Sequence, residues 1–186
     1  MQDKTFKYEI YFCIMNEIEV KILNVNPDSV RKNLKRYHAK FVKKVFQQNI
    51  LYDNTFTKKS KIVVRVRKEK ENTDTLLTIK ANRRFVQGHK LADEYETFVD
   101  YKNIVPILET LGFKRSGIGE VKREYWKLKD CSVEICILPK IPPFIEIEGS
   151  AKNILLVAKL LGYTEKDYYP NTIFHRYKIK TKYLRF

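Results

Sequence analysis

The sequence predicts an α+β fold in which an antiparallel sheet closes into a barrel and helices pack outside it. Three observations carry this. Eight short segments read as strands, with apolar residues recurring at every second position. Several of those segments repeat charge at the same period. Only three stretches show helical spacing bounded by capping residues. So many strands in a chain this short imply a large sheet, and closing it removes exposed edges.

The elements run in this order. Residues 17–23, EIEVKIL, place Glu17, Glu19 and Lys21 on one face and Ile18, Val20 and Ile22 on the other, a strand with a charged face. Pro27 and Asp28 signal a helix start, and Val30, Leu34, Tyr37, Phe41 and Val45 recur at spacings of three and four, predicting a first helix with an apolar stripe against the sheet. Residues 62–68 and 75–80 read as strands joined through the polar segment KEKENTD, and ADEYETFVD (92–100) alternates again. Ile104, Ile107, Leu108 and Leu111 before Gly112 read as a short helix. Strands return at 121–128, 131–138 and 144–148, a last helix spans about Ser150–Leu161 before Gly162, and the tail FHRYKIKTKYL alternates as a closing strand. No repeat, low-complexity stretch or linker interrupts the chain, so residues 1–186 read as one domain.

Composition agrees with a folded domain: 44% of residues are hydrophobic and 13% aromatic. The charge is unusual. Lys and Arg number 37 against 22 Asp and Glu, a net +15 that favours partners bearing phosphate, whether nucleotide, polyphosphate, RNA or anionic lipid. Three cysteines without metal-ligand spacing argue against a disulfide framework or a zinc site and for a reducing compartment. No apolar run is long enough to span a bilayer, and the first residues do not form a secretory signal, so the expected location is the cytoplasm, without membrane association. Met15 stands directly before the first motif, which leaves residues 1–14 open as an in-frame extension of a core over 16–178.

The chemistry is carried by the charge that repeats at period two. Glu17-Glu19-Lys21, Arg65-Arg67, Glu94-Glu96 and Glu146-Glu148 each share one face of a strand. A merely solvated face would mix Lys with Glu, whereas these pairs are sorted by sign strand by strand. Like charges so placed repel unless something opposite lies between them. Paired carboxylates suit a hard divalent cation, and the arginines and lysines suit phosphate oxygens, Arg by its bidentate fork and Lys as a point charge.

With these residues in hand, the sequence resembles the CYTH superfamily of triphosphate tunnel metalloenzymes, which includes thiamine triphosphatases, inorganic tripolyphosphatases and class IV adenylyl cyclases. The E-x-E-x-K signature stands as Glu17-Ile18-Glu19-Val20-Lys21. It is followed in order by YDN at 52–54, RVR at 65–67, LTIK at 77–80, EYE at 94–96, KREYW at 122–126 and PPFIEIEG at 142–149. The resemblance implies a tunnel of about eight antiparallel strands with the ligand along its axis. It implies Glu17, Glu19, Glu146 and Glu148 as carboxylates for Mg2+ or Mn2+, with Glu94 and Glu96 as further tunnel acids of that set. Lys21, Arg65, Arg67, Lys80 and Arg123 are implied as phosphate ligands, Arg123 being preferred to Lys122 because counting back from Trp126 aligns it with the family arginine. Lys21, facing the same cavity as the metal acids, is also the candidate catalytic group, able to orient or deprotonate water if its neighbours lower its pKa.

One position departs from the family pattern. An Asp is expected about ten residues before the EIE motif, and Cys136 stands there, with Glu134 on the same strand face as a substitute carboxylate. A thiol is a poor magnesium ligand. His38, His89 and His175 form no arrangement for nucleophilic catalysis, and G-x-x-x-x-G-K-[ST] is absent, so phosphate binding would rest on side chains. The expected activity is metal-dependent hydrolysis of a triphosphate, the substrate being inorganic tripolyphosphate, thiamine triphosphate or a nucleoside triphosphate. Cyclisation of ATP to cAMP in the same tunnel is the alternative enzyme, and non-catalytic binding of nucleotides or RNA 5′-triphosphate ends is the alternative outside enzymology. A small triphosphate molecule is the expected partner, nucleic acid is not favoured, and a homodimer is left open.

Overall fold

The computed structural model describes residues 15–70, 75–86, 88–171, 173–177 and 183–186. Eight strands form the wall: β1 (Met15–Leu23), β2 (Lys40–Asp53), β3 (Val63–Glu69), β4 (Thr75–Val86), β5 (His89–Val99), β6 (Lys114–Leu128), β7 (Cys131–Leu138) and β8 (Ile141–Glu148). Two meanders, β2-β3-β4-β5 and β6-β7-β8, are joined by β1, which lies between β5 and β8. β2 pairs with β6 along its whole length, and this closes an antiparallel barrel. A short ninth strand, β9 (Tyr183–Leu184), runs parallel to β6 at Ile118 and Gly119. Because β2 already occupies one edge of β6 there, β9 takes the edge that β7 leaves beyond Lys122.

The main apolar core lies outside the barrel. Val20 and Ile22 of β1, Val133 and Ile135 of β7, and Ile145 and Ile147 of β8 point away from the axis and are covered by α1 (Pro27–Arg36) and α4 (Ala151–Leu161) through Val30, Leu34, Ile154 and Val157. All ten are almost fully buried, and each contributes about 1.5–3 kcal/mol in apolar burial. On the opposite wall Ile50, Tyr52, Val64 and Val66 pack beneath Ile104 and Leu108 of α3 (Tyr101–Thr110). Since side chains alternate along a strand, packing these residues outward turns Glu19, Lys21, Arg65, Arg67, Glu146 and Glu148 inward. A third cluster sits on the inner parity at one end of the barrel. Val121, Cys136 and Phe144, with Leu23 beside them, are closed over by Ile173 of the four-residue helix α5 (Ile173–Arg176) and by Leu184 of β9.

Local chemistry explains the element ends. Asn26 caps α1, its Oδ1 accepting from the Asp28 and Ser29 amides, with Pro27 at the first helical position; the capping residue is thus one earlier than the expected Pro27-Asp28 signal. Gly162, at φ +93, ends α4 in the left-handed conformation a glycine adopts without strain. Gly149 follows the EIE motif for a different reason: a Cβ there would lie 2.8 Å from the Cys131 sulfur.

Two expectations need correction. The helical stripe does not continue to Phe41 and Val45, because α1 ends at Arg36 and His38 adopts φ +56. Phe41 and Val45 belong to β2, where pairing with Trp126 and Arg123 of β6 outweighs a coincidental spacing of four. The tail is not one strand either. Residues 173–176 form α5, only Tyr183 and Leu184 pair as strand, and 178–182 lie outside the described residues. Residues 1–14, and most of the KEKENTD connection at 71–74, also lie outside them.

Candidate active site inside the barrel

The inward face of the wall carries acids and bases paired from strand to strand. On β1, the Lys21 ammonium pairs with Glu19 on its own strand and with Glu146 Oε1 of β8 at 3.1 Å. Lys90 of β5 reaches the same Glu19 carboxylate at 2.8 Å. From β6, Arg123 binds Glu134 of β7 at 2.7 Å and Glu146 at 3.5 Å. Across the lumen, Lys80 of β4 pairs with Glu94 at 3.0 Å, while Arg65 Nη2 lies 3.5 Å from both Glu94 and Glu96. The Thr78 hydroxyl accepts from Arg65 and donates to Glu96 at 2.6 Å.

Thus the strand periodicity turns all of these residues to the inward face, where Glu19, Lys21, Arg123 and Glu146 form one ion-pair group and Arg65, Lys80, Glu94 and Glu96 another. Glu17 lies in β1 opposite Ala92, and its side chain is outside the described residues. Lys122, one residue from Arg123, is on the other face of β6 and lies over the Phe186 ring. Of the histidines, His38 sits in the turn after α1 and His89 packs edge-on against Tyr168, while the His175 side chain lies outside the described residues.

Two charged groups break the neutralisation. Glu148 makes no ion pair among the described residues, and burial together with the carboxylates of Glu134, Glu94 and Glu19 pushes its pKa up to about 7. Arg67 meets no carboxylate among the described residues; its Nε donates only to Asn49 at 3.2 Å. Beside it, burial and the neighbouring Arg67 and Arg123 charges pull Arg65 down to about 10. The Nε groups of Arg65 and Arg123 are buried and unpartnered. One region of the lumen therefore carries surplus negative charge and another carries surplus positive charge with open donors.

Lys21 differs from its expected role. Burial would lower its pKa, but Glu146 and Glu19 outweigh burial and hold it well above the usual lysine range, the opposite of the lowering that proton acceptance by Lys21 would need. The Cys136 thiol is buried, with Sγ 3.9 Å from Glu146 Oε2, and burial pushes its pKa well up. Glu134, Cys136 and Glu146 present ligand atoms within 4.8 Å of one another. The protonated thiol and the Arg123 guanidinium beside it suit this trio poorly to a hard cation.

The model of the CYTH domain matches residues 15–179. The chain belongs to the CYTH family. A Methanocaldococcus jannaschii protein named as a candidate adenylate cyclase is 28% identical over 144 residues, 75% of this chain and 80% of that one. The PH1012 protein of Pyrococcus horikoshii has the same architecture, with a TM-score of 0.73 and 26% identity over 86% of this CYTH chain and 98% of its own. A Hippeastrum protein, also named as a candidate adenylyl cyclase and described as having a dominant triphosphatase activity, shares the fold at a TM-score of 0.64 and 16% identity, covering 87% of this chain and 95% of that one. No described helix is long and apolar enough to cross a membrane.

Sequence reasoning missed Lys90, Glu69 and Asn49. Lys90 was accessible to it, since Lys90, Ala92, Glu94 and Glu96 share one strand parity. Asn49 was not, because residues 40–53 had to be recognised as a strand first, and Glu69, held by Lys43 at 2.8 Å and by Gln47, depends on the same strand.

Proposed function

We propose that this CYTH protein hydrolyses a triphosphate inside its barrel with the help of a divalent cation, magnesium or manganese. The observation that carries the reading is the paired imbalance of the lumen: a carboxylate held near neutrality's edge at Glu148, and arginines crowded at Arg65, Arg67 and Arg123. Glu19, Glu146 and Glu148, with Glu17 on the same parity, would hold the metal, whose oxygen-ligand chemistry fits them. Bound there, it would neutralise phosphate oxygens and polarise the phosphoryl group. Arg65, Arg67, Arg123 and Lys80 would grip the phosphate chain, with forks that match its oxygens, and Glu94 and Glu96 would keep Arg65 and Lys80 in position. Lys21 acts in this reading as a cation that orients the substrate.

Cyclisation of ATP is the second reading, supported by the name of the Methanocaldococcus relative. Incubation with tripolyphosphate, thiamine triphosphate or ATP, with Mg2+ or Mn2+ and with excess EDTA, followed by product analysis, decides between them. Orthophosphate release that stops with EDTA is the expected result. Pyrophosphate and cAMP from ATP would favour the cyclase, and undiminished turnover in EDTA would remove the metal from the mechanism.

A further inference from the structure

At the barrel end bordered by α2 (Thr55–Lys59), the rim carries a cavity of about 270 Å3 that the lumen network does not use. Asp53, Lys58, Lys61, Val63, Arg83 and Ser116 line it. Lys58 is neutralised by Asp53 at 2.9 Å, whereas Lys61 and Arg83 form no ion pair among the described residues, so the lining carries two uncompensated positive charges. Further cations gather at this end, since β2–β6 pairing sets Lys114 and Arg115 opposite Asp53 and Tyr52.

Two backbone irregularities converge on the same spot. A register shift in the β4–β5 ladder between Ala81 and Arg84 places Asn82 at φ +49 and re-aims Arg83, whose Nε and Nη2 both donate to the Lys61 carbonyl at 3.1 and 3.0 Å. Lys61 itself sits at φ +55, a conformation that costs a non-glycine residue energy. The fold thereby ties the Arg83 guanidinium to the Lys61 backbone, so that both residues line one concavity.

We propose that this rim cavity is a second phosphate-binding site and that its ligand is the continuation of an inorganic polyphosphate chain extending beyond the lumen. Two neighbours of the cavity connect it to the phosphate-binding face proposed above: Val63 pairs directly with Lys80 and Leu51 with Arg65. The substrate class assigned here therefore rests on that reading, while the cavity's affinity for phosphate does not. A nucleic-acid backbone fits less well, because the one aromatic lining residue, Tyr52, is 2% exposed and offers no face for a base to stack on; Phe56, exposed on α2, does not line the cavity.

Calorimetric titration of the full chain in Mg2+ with tripolyphosphate and with a longer inorganic polyphosphate tests the proposal. The longer chain binds more tightly than tripolyphosphate, and Lys61→Gln combined with Arg83→Gln removes about tenfold of that affinity, the size of one charge-assisted contact, while leaving tripolyphosphate binding unchanged. Arg83→Lys retains part of the gain. Because the readout is binding, an absence of turnover on any triphosphate would sink the proposed activity without touching this result. Equal affinity for both chain lengths in the wild type, or an undiminished gain in the double variant, overturns the rim site. Loss in the double variant of binding to a 5′-dephosphorylated RNA, with polyphosphate binding intact, overturns the choice of ligand.

Discussion

Glu19 and Glu148 occupy directly opposed positions of the antiparallel β1–β8 pair, two acids facing each other where a sheet ordinarily places complementary groups. Lys21 and Lys90 hold Glu19, and nothing comparable holds Glu148 among the described residues. A divalent cation seated between them should stabilise the fold. At a hundredfold excess over its dissociation constant the gain is about 2.7 kcal/mol, or roughly 5–10 °C in melting temperature. In EDTA, Glu148→Gln should melt above the wild type, and it should gain less from Mn2+. An identical Mn2+ shift in both proteins would place the metal elsewhere.

The same residue sets a pH dependence. Its folded pKa of about 7 lies above its ordinary 4.5, so between those values the folded state binds more protons than the unfolded state, and metal-free stability falls as pH rises through that window. The loss is at most about 3 kcal/mol. Glu134 is also pushed up, by burial and despite Arg123, and adds to the fall, whereas Glu69, Glu94, Glu124 and Glu146 are shifted downward and act in the opposite sense below 4.5. Urea unfolding at pH 5 and pH 8 in EDTA should show the wild type weakening more steeply than Glu148→Gln, which keeps only the part due to Glu134; parallel slopes would show that Glu148 does not titrate there.

Arg65→Ala and Arg67→Ala should each lower kcat/KM by about 10²-fold, near 2.7 kcal/mol, because their contacts strengthen as charge develops on the phosphoryl oxygens. Arg65→Lys and Arg67→Lys should recover part of the loss, keeping the charge without the fork. Crowding by like charges already weighs on Arg65, so its removal should cost little folding stability. Wild-type kinetics in both alanine variants would mean that the lumen does not bind the substrate.

Cys136→Asp should improve turnover with Mg2+ relative to Mn2+, since it adds a hard ligand beside Glu146. The cost falls on the metal-free protein. Cys136 is fully buried among Val121, Ile141 and Phe144, with Glu134 and Glu146 close by, so a third carboxylate should lower its melting temperature by several degrees despite the nearby Arg123. An unchanged metal preference, with the melt lowered as expected, would put position 136 outside the metal's reach.

Much of this arrangement was legible because strand parity is strict. Once Val20 and Ile22 are assigned to the core, Glu19 and Lys21 must face the other way, and the same holds for Arg65 and Arg67 around Val66. What stayed hidden was β2. Its outer part, KFVKK, is exposed and weakly patterned, so spacing alone let Phe41 and Val45 join the preceding helix, and only pairing with β6 fixes them. The closing residues were obscured for a similar reason: Ile173 and Leu184 are held by the apolar end of the barrel and not by any period of their own. The state of Lys21 was out of reach because it depends on two carboxylates brought in by packing, one of them from a strand 125 positions away.

The apolar core of this barrel lies on its outer surface, so folding and chemistry are written on alternate residues of the same strands. Substitution can therefore revise the lumen one side chain at a time, exchanging a thiol for an acid or a glutamate for an amide, while the neighbours that hold the wall stay in place. Insertion has no such latitude. One extra residue near the start of β1 would swing Val20 and Ile22 into the lumen and turn Glu19 and Lys21 against α1 and α4, so descendants of such a chain can change ligands by replacement but not by gaining or losing single residues within the wall.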